Sequence, residues 1–217
     1  MLSIFVTMLT ISMLFLMVNH FNLDSIYVYA NSERIFVYVS NGGDGNITVM
    51  KLNSKTGDLT MVEQVPAGPN VMHMASSPAH RFLYASIRSE PYSVISYSID
   101  SETGKLTYFS KELLPDNMVY ISVDQTGRFL FSVSYTGALI VVNQIESNGL
   151  VQEEPIQVIP TGPKPHSILV DQSNRFVYVP QLGNDQIKQY LFNETTGHLT
   201  PNNPEVLYTK DNSGPRH

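Results

Sequence analysis

The stretch "SPAHRFLYAS" at residues 77–86 returns twice in related form, as "DQTGRFLFSV" at residues 124–133 and "DQSNRFVYVP" at residues 171–180. The arginines Arg81, Arg128 and Arg175 stand 47 residues apart, and "ERIFVYVSN" places Arg34 another 47 residues earlier. A second marker, the glycine of "TGDLT", "TGKLT", "NGLV" and "TGHLT", follows at residues 57, 104, 149 and 197. From residue 34 onward the chain therefore consists of four repeats.

Each repeat contains short apolar runs with the composition of β-strands. "RFLYAS" and "VISYSI" are two such runs, "LT" opens a third, and "HSILVD" and its equivalents precede each arginine. These runs are rich in Val, Ile, Tyr and Phe and are bounded by Gly, Asn, Asp and Pro. Four strands in a period of 40 to 50 residues are typical of a β-propeller blade, whose faces are buried only against neighbouring blades. We predict an all-β fold of four-stranded propeller blades, with the recurring arginine in a structural role.

The composition excludes several classes of function. The net charge is −6 and no run of Lys and Arg occurs, so nucleic-acid binding is not expected. The absence of cysteine excludes disulfides, thiolate zinc sites and cysteine nucleophiles. His and carboxylate residues are not clustered at metal-ligand spacing, and no G-x-S-x-G motif or phosphate-binding glycine loop is present. We predict neither a metal nor a cofactor.

The N-terminus begins with "MLSIFVTMLTISMLFLMV", 18 uncharged and mostly apolar residues. Val28 and Ala30 stand where a signal peptidase accepts small side chains, although no Lys or Arg precedes the apolar run. We predict a signal peptide or hydrophobic anchor over residues 1–30 and a propeller domain over residues 31–217; a mis-assigned start or a buried strand is the alternative. The protein would be periplasmic or secreted if the signal acts and cytoplasmic otherwise, without stable membrane contact unless this segment is retained.

Three stretches carry a resemblance to a known family: "FVYVSNGGDGNITVMKLNSKTGDLT" from residue 36, "TGPKPHSILVDQSNRFVYVPQLGNDQIKQYLFNETTGHLT" from residue 161, and the closing "SGPRH". Over residues 34–217 the chain resembles the lactonase-type seven-bladed propellers of bacterial 6-phosphogluconolactonases and fungal carboxymuconate cyclases. The resemblance implies about four of an expected seven blades, hence a C-terminal truncation. The alternative is a closed four-bladed ring, in which residues after 217 would supply the innermost strand of the first repeat.

The 47-residue period also points to candidate site residues. It aligns Met72, Val119 and His166 at the start of the innermost strands and brings Arg216 to about the same place. Ionisable departures from an apolar consensus at a channel mouth are candidates for chemistry. From the residues alone, His166 is either a general base of near-neutral pKa or a solvated turn histidine. The resemblance matches His166 and Arg216 to channel residues proposed as catalytic in the fungal cyclases.

Three further residues are predicted to bind substrate. Arg88 matches an arginine of the bacterial lactonases and could contact a phosphate, with a surface ion pair to Glu90 as the alternative. Tyr135 is a second candidate at the rim, unless it only packs at a strand end. If the closing segment forms a strand, His217 lies on the opposite side of it from Arg216 and supports the site at best. His73, beside the aligned channel position, is expected to be structural.

The leading functional hypothesis is hydrolysis of a small anionic sugar lactone of the 6-phosphogluconolactone type. His166 would activate water and Arg216 would stabilise the anionic oxygen. The alternatives are an exported propeller that binds a ligand or protein without catalysis, and a cycloisomerase of the carboxymuconate type. The resemblance places the family's acidic partner and second arginine beyond residue 217.

Overall fold

The computed structural model describes the backbone of residues 25–30 and residues 34–217 in full. This part of the chain forms strands and turns without a helix, which confirms the predicted all-β class. The strands in chain order are β1 (Ser25–Ala30), β2 (Ile35–Asn41), β3 (Asn46–Leu52), β4 (Leu59–Pro66), β5 (Val71–Ser76), β6 (Phe82–Ile87), β7 (Ser93–Ile99), β8 (Leu106–Leu113), β9 (Met118–Val123), β10 (Phe129–Ser134), β11 (Leu139–Gln144), β12 (Gln157–Pro160), β13 (Leu169–Val170), β14 (Phe176–Gln181), β15 (Gln186–Phe192) and β16 (Leu199–Tyr208).

The described strands form four sheets, each made of four consecutive antiparallel strands. We call them blade 1 (β1–β4), blade 2 (β5–β8), blade 3 (β9–β12) and blade 4 (β13–β16). The first strands of successive blades lie side by side, so they are the innermost strands. The predicted arrangement of four-stranded propeller blades is therefore confirmed.

The core lies between blades rather than within them. One apolar cluster joins blades 1 and 2, a second joins blades 2 and 3, and a third joins blades 3 and 4. The largest fully buried side chains in these clusters are Phe36, Tyr38, Ile47, Leu83, Tyr97, Tyr84, Met118, Ile121, Leu130, Phe131, Ile140 and Ile168. Burial of each such side chain stabilises the fold by roughly 1.5–3 kcal/mol, so neighbouring blades depend on one another for stability.

The turn before the second strand is held by the same pattern of hydrogen bonds in blades 2, 3 and 4. The Asp124 carboxylate accepts the backbone N–H groups of Arg128 and Phe129 at 2.8 and 2.9 Å. Asp171 repeats this turn in blade 4, and the Ser77 hydroxyl takes the same place in blade 2. The guanidinium that follows lies 5.3–5.6 Å from the ring of the next residue in blades 2, 3 and 4, in agreement with a structural arginine.

The innermost strand of blade 1 differs from the sequence expectation. Residues 25–30 form β1, which pairs with β2 from Ser25↔Ser40 to Ala30↔Ile35, so blade 1 has its innermost strand within this sequence. The expected boundary between residues 30 and 31 therefore falls just after a strand of blade 1, and cleavage after Ala30 would remove that strand. The remainder of the predicted leader, residues 1–24, lies outside the described residues. In the part of the chain described, no helix is long and apolar enough to cross a membrane.

Candidate active site

The predicted site residues gather at one rim of the blades. His166 precedes β13, and its backbone N–H donates to the Pro180 carbonyl at 3.1 Å, which holds it beside blade 4. Arg88 and Tyr135 follow the second strands of blades 2 and 3. In an antiparallel sheet the start of one strand and the end of its neighbour lie at the same edge. The topology therefore brings these three residues to a common rim.

The segment after β16 completes this group. The Asp185 carboxylate accepts the backbone N–H groups of Asn212 and Gly214, both at 2.8 Å. These backbone hydrogen bonds lower the pKa of Asp185, because they stabilise its charged form. Anchored in this way, the chain carries Arg216 and His217 back over the rim to His166.

The closest polar contact of the site joins Arg216 to His166. The Arg216 Nε–H donates to His166 Nε2 across 3.0 Å. Since Nε2 accepts this hydrogen bond, the ring proton of the neutral imidazole is on Nδ1. His166 Nδ1 is buried and has no hydrogen-bond partner among the described residues. The Nε2 lone pair of His166 thus accepts from the Arg216 guanidinium. This guanidinium could hydrogen-bond to an anionic ligand instead.

The pKa of His166 differs from the near-neutral value expected from the sequence. Burial is the main cause and the positive charge of Arg216 adds to it, so the pKa of His166 is lowered to about 4. His217 and Arg88 act in the same direction. His166 is therefore a neutral imidazole at physiological pH, in the form that can accept a proton from water.

Aromatic rings flank His166 on two sides. The centroids of the His217 and Tyr135 rings lie 5.0 and 5.9 Å from that of His166, both in edge-to-face orientation. The opposite-side placement of His217 depends on a strand, and residues 209–217 form none, so the alternation of side chains along a strand does not apply here. Burial lowers the pKa of His217, as does the charge of Arg216.

His73, expected to be structural, belongs to the same group of rings. It stacks on Tyr120 with a centroid distance of 3.7 Å, and Tyr120 lies 5.8 Å from His217. The Ile121 N–H donates to His73 Nδ1 at 3.4 Å, so the proton of the neutral ring is on Nε2. Burial lowers the pKa of His73 to about 4. His73 is thus held as an uncharged donor. In the sequence, its position one residue after Met72 is the feature that could have placed it at the site.

Arg88 contributes a second positive charge. Its Nε–H donates to Asn117 Oδ1 at 2.6 Å, which fixes the guanidinium beside the first strand of blade 3. Glu90, the alternative partner, accepts a hydrogen bond from the Tyr92 hydroxyl at 3.2 Å. Two arginines and three neutral imidazoles suit the recognition of an anionic, hydroxyl-rich ligand.

The described residues contain no group of three or more His, Cys, Asp or Glu that could hold a metal ion. The catalytic roles of His166 and Arg216, and the substrate-binding roles of Arg88, Tyr135 and His217, stay predictions.

Comparison with known families gives a match over almost the whole chain. The model of the lactonase family, described as a 7-bladed β-propeller, matches residues 15–217. The proteins named 6-phosphogluconolactonase of Pectobacterium carotovorum and Pectobacterium atrosepticum are 38% and 37% identical to this chain over 181 residues. These matches cover 83% of the chain and 53% of each relative, so the chain spans about half their length.

Solved structures show the same fold. A candidate 6-phosphogluconolactonase of Bacteroides fragilis superposes with a TM-score of 0.76 at 21% identity, covering 87% of this chain and 58% of the other. The periplasmic gluconolactonase of Pseudomonas aeruginosa superposes with a TM-score of 0.73 at 22% identity, covering 89% and 58%.

Proposed function

Because the chain belongs to the lactonase family of seven-bladed β-propellers, we propose that it hydrolyses a sugar lactone of the 6-phosphogluconolactone type. The hydrogen bond from Arg216 to His166 Nε2 is the observation on which the mechanism rests, since it joins a neutral base to a cation. The curated relatives support the substrate class through the name 6-phosphogluconolactonase.

The first step of the proposed mechanism frees the base. An anionic substrate attracts the Arg216 guanidinium, whose planar set of donors matches a phosphate, a carboxylate or a developing oxyanion. His166 Nε2 then loses its donor and can accept a proton from a water molecule. Neutralisation of the nearby positive charge raises the pKa of His166, so the imidazole becomes a stronger base when substrate is bound.

The hydrolysis follows from this arrangement. The water oxygen bonds to the lactone carbonyl carbon as His166 Nε2 takes one water proton, and the carbonyl oxygen becomes an oxyanion beside Arg216. The carbon–oxygen ring bond then breaks, and the imidazolium returns the proton to the departing alkoxide. The product is the open-chain sugar acid, and His166 returns to its neutral form.

The remaining residues of the rim bind and orient the sugar. Arg88 contacts the anionic group of the substrate from blade 2. The edge of Tyr135 and the stacked pair of His73 and Tyr120 provide apolar surface for the ring, and His73 Nε2–H donates to a hydroxyl or carbonyl oxygen. His217 lies between these groups and completes the wall of the site.

A substrate comparison tests this function on the protein produced from its complete gene. We expect turnover of 6-phosphogluconolactone above its spontaneous hydrolysis, and slower turnover of gluconolactone, which lacks the phosphate. Conversion of carboxymuconate alone would replace hydrolysis by cycloisomerisation, and an absence of all turnover would identify a binding propeller.

For localisation, we propose that the hydrophobic leader directs export. The periplasmic gluconolactonase with the same fold supports this proposal. Because β1 begins at Ser25, we expect cleavage before that residue rather than after Ala30. Mass spectrometry of the periplasmic protein should give a mature N-terminus at or before Ser25; a mature protein beginning at Asn31, or an uncleaved cytoplasmic protein, would contradict it.

A further inference from the structure

A groove opens between blades 2 and 3 at the rim opposite the candidate active site. It is lined by the turns that join the first and second strands of these blades and by the turn before the fourth strand of blade 3. Its volume of about 630 Å³ lies in the range of pockets that hold small metabolites. Arg81 and Arg128 both line it, with Glu146 as the one carboxylate among its lining residues.

The arginine of the repeat forms a bridge at the other two blade junctions. Arg34 of blade 1 pairs with the Glu102 carboxylate of blade 2 at 2.5 Å. Arg128 of blade 3 donates to the Glu194 carbonyl of blade 4 at 2.5 Å. In both cases the acceptor belongs to the turn between the third and fourth strands of the next blade.

Arg81 stands at the same repeat position without such a bridge. Its guanidinium lies 5.3 Å from the Phe82 ring, and no hydrogen bond or ion pair joins it to another side chain or carbonyl in residues 34–217. Arg81 is exposed, so its charge is available to a ligand in the groove.

The turn of blade 3 that faces Arg81 is shorter than its equivalents in blades 2 and 4. Gly149 N donates to the Glu146 carbonyl three residues before it, whereas Gly104 and Gly197 donate to carbonyls four residues before them. The turn still packs against the preceding blade, because a Cβ at Gly149 would lie 2.6 Å from the Phe82 ring. The junction of blades 2 and 3 is therefore packed by its turn glycine as the junction of blades 1 and 2 is, while no group of this turn hydrogen-bonds to the Arg81 guanidinium.

The charges of the groove favour an anion. Glu146 Oε1 accepts a hydrogen bond from Gln152 at 2.6 Å and so is engaged within its own blade. The two guanidinium groups of Arg81 and Arg128 therefore give the groove lining one more positive than negative charge. A guanidinium with open donors binds the oxygens of carboxylates and phosphates in pairs.

We propose that this groove is a second ligand site, which binds a small metabolite through a carboxylate or phosphate group held by Arg81. The bound anion takes the place that the Glu102 carboxylate and the Glu194 carbonyl occupy at the other two junctions. The site is independent of the lactone chemistry, since it lies at the opposite rim.

The test titrates the protein with inorganic phosphate and, separately, with malonate, and follows the arginine Nε–Hε signals by NMR. We expect a saturable shift of the Arg81 signal. In Arg81→Gln we expect at least tenfold weaker binding, followed at the signal of Arg128, which lines the same groove. Arg175→Gln is the matched control, because Arg175 also lies 5.3 Å from the following phenylalanine ring; it should bind as the wild type does.

Two further variants separate the possible outcomes. Arg216→Gln should leave binding in the groove unchanged, because Arg216 belongs to the other rim, and Glu146→Gln should strengthen it by removing the opposing charge. A response to phosphate alone identifies a phosphate ligand, and a response to malonate alone identifies a carboxylate ligand. No saturable Arg81 shift with either probe, or equal affinity in Arg81→Gln, would overturn the proposal.

Discussion

At the scale of single residues, the environment of His166 is the feature that matters most for function. Burial and the nearby guanidinium lower the pKa of this imidazole to about 4 and keep it neutral. A base of such low pKa is weak until the cation beside it is neutralised. In the proposed mechanism, an anionic substrate activates this base by neutralising the cation beside it.

Substitution of Arg216 tests this coupling directly. In Arg216→Gln we expect the pKa of His166 to rise from about 4, because the positive charge beside Nε2 is removed while burial remains. An NMR titration of the imidazole signals measures the change. Arg175→Gln, an equally conservative loss of an exposed arginine in blade 4, should leave the pKa of His166 where it is. An unchanged or lower pKa in Arg216→Gln would show that Arg216 does not control the base.

Single residues also mark the limit of prediction from sequence. The period of 47 residues aligned His166 with Met72 and Val119 and brought Arg216 close to it, and the structure joins the two by a hydrogen bond. The opposite-side position of His217 depends on a strand that does not form, because the Asp185 carboxylate holds this segment as a loop. The pKa of His166 depends on burial by residues distant in sequence, which no local pattern reveals.

At the scale of elements, the turn between the third and fourth strands carries the packing of one blade on the next. Gly104 has φ +73°, and a Cβ there would lie 2.4 Å from the Phe36 ring of blade 1. Gly57 has a similar φ of +81°, but a Cβ there meets nothing within 4 Å. The two glycines therefore have the same left-handed backbone conformation, and they differ in whether an added Cβ would meet a neighbouring side chain.

This pair allows the contact to be measured. We expect Gly57→Ala to lower the free energy of unfolding by about 1 kcal/mol, because only the left-handed backbone is strained. Gly104→Ala should lower it by about 2 kcal/mol or more beyond that, since Phe36 has to move within a packed interface. Chemical denaturation of both variants gives the difference. Equal losses would mean that the turn does not support the junction of blades 1 and 2.

The elements themselves followed from local signals. Runs rich in Val, Ile, Tyr and Phe between turn residues predicted the second and third strands of each blade, and "LT" predicted the start of the fourth strand in blades 1, 2 and 4. In blade 3 the marker "NGLV" opens no strand: Val151 forms only an isolated bridge with Ile145, and β12 begins at Gln157. The first strands were harder to predict: β13 is reduced to Leu169–Val170, and β1 was assigned to the leader because Val28 and Ala30 match a signal-peptidase site. Pairing with β2 is a tertiary contact, so composition alone could not separate a strand from a signal sequence.

At the scale of the whole molecule, the described residues form four blades of the lactonase fold with two distinct rims. One rim gathers His166, Arg216 and their neighbouring rings, and the other carries the recurring arginines and the groove at Arg81. The repeat predicted this architecture because each blade must bury its faces against the next. Each rim contains one departure from the repeat. At the first rim the imidazole of His166 replaces an apolar side chain, and at the second the turn before β12 is one residue shorter than its equivalents.

The role proposed for His166 as general base of lactone hydrolysis can be tested by enzyme kinetics. The value of kcat/KM for 6-phosphogluconolactone is compared between the wild type and His166→Gln, both produced from the complete gene. We expect a loss of about 100-fold or more, the usual contribution of a general base. His198→Gln, an exposed histidine in the turn before β16, should retain wild-type activity. A kcat/KM of His166→Gln within threefold of the wild-type value would show that His166 is not the general base.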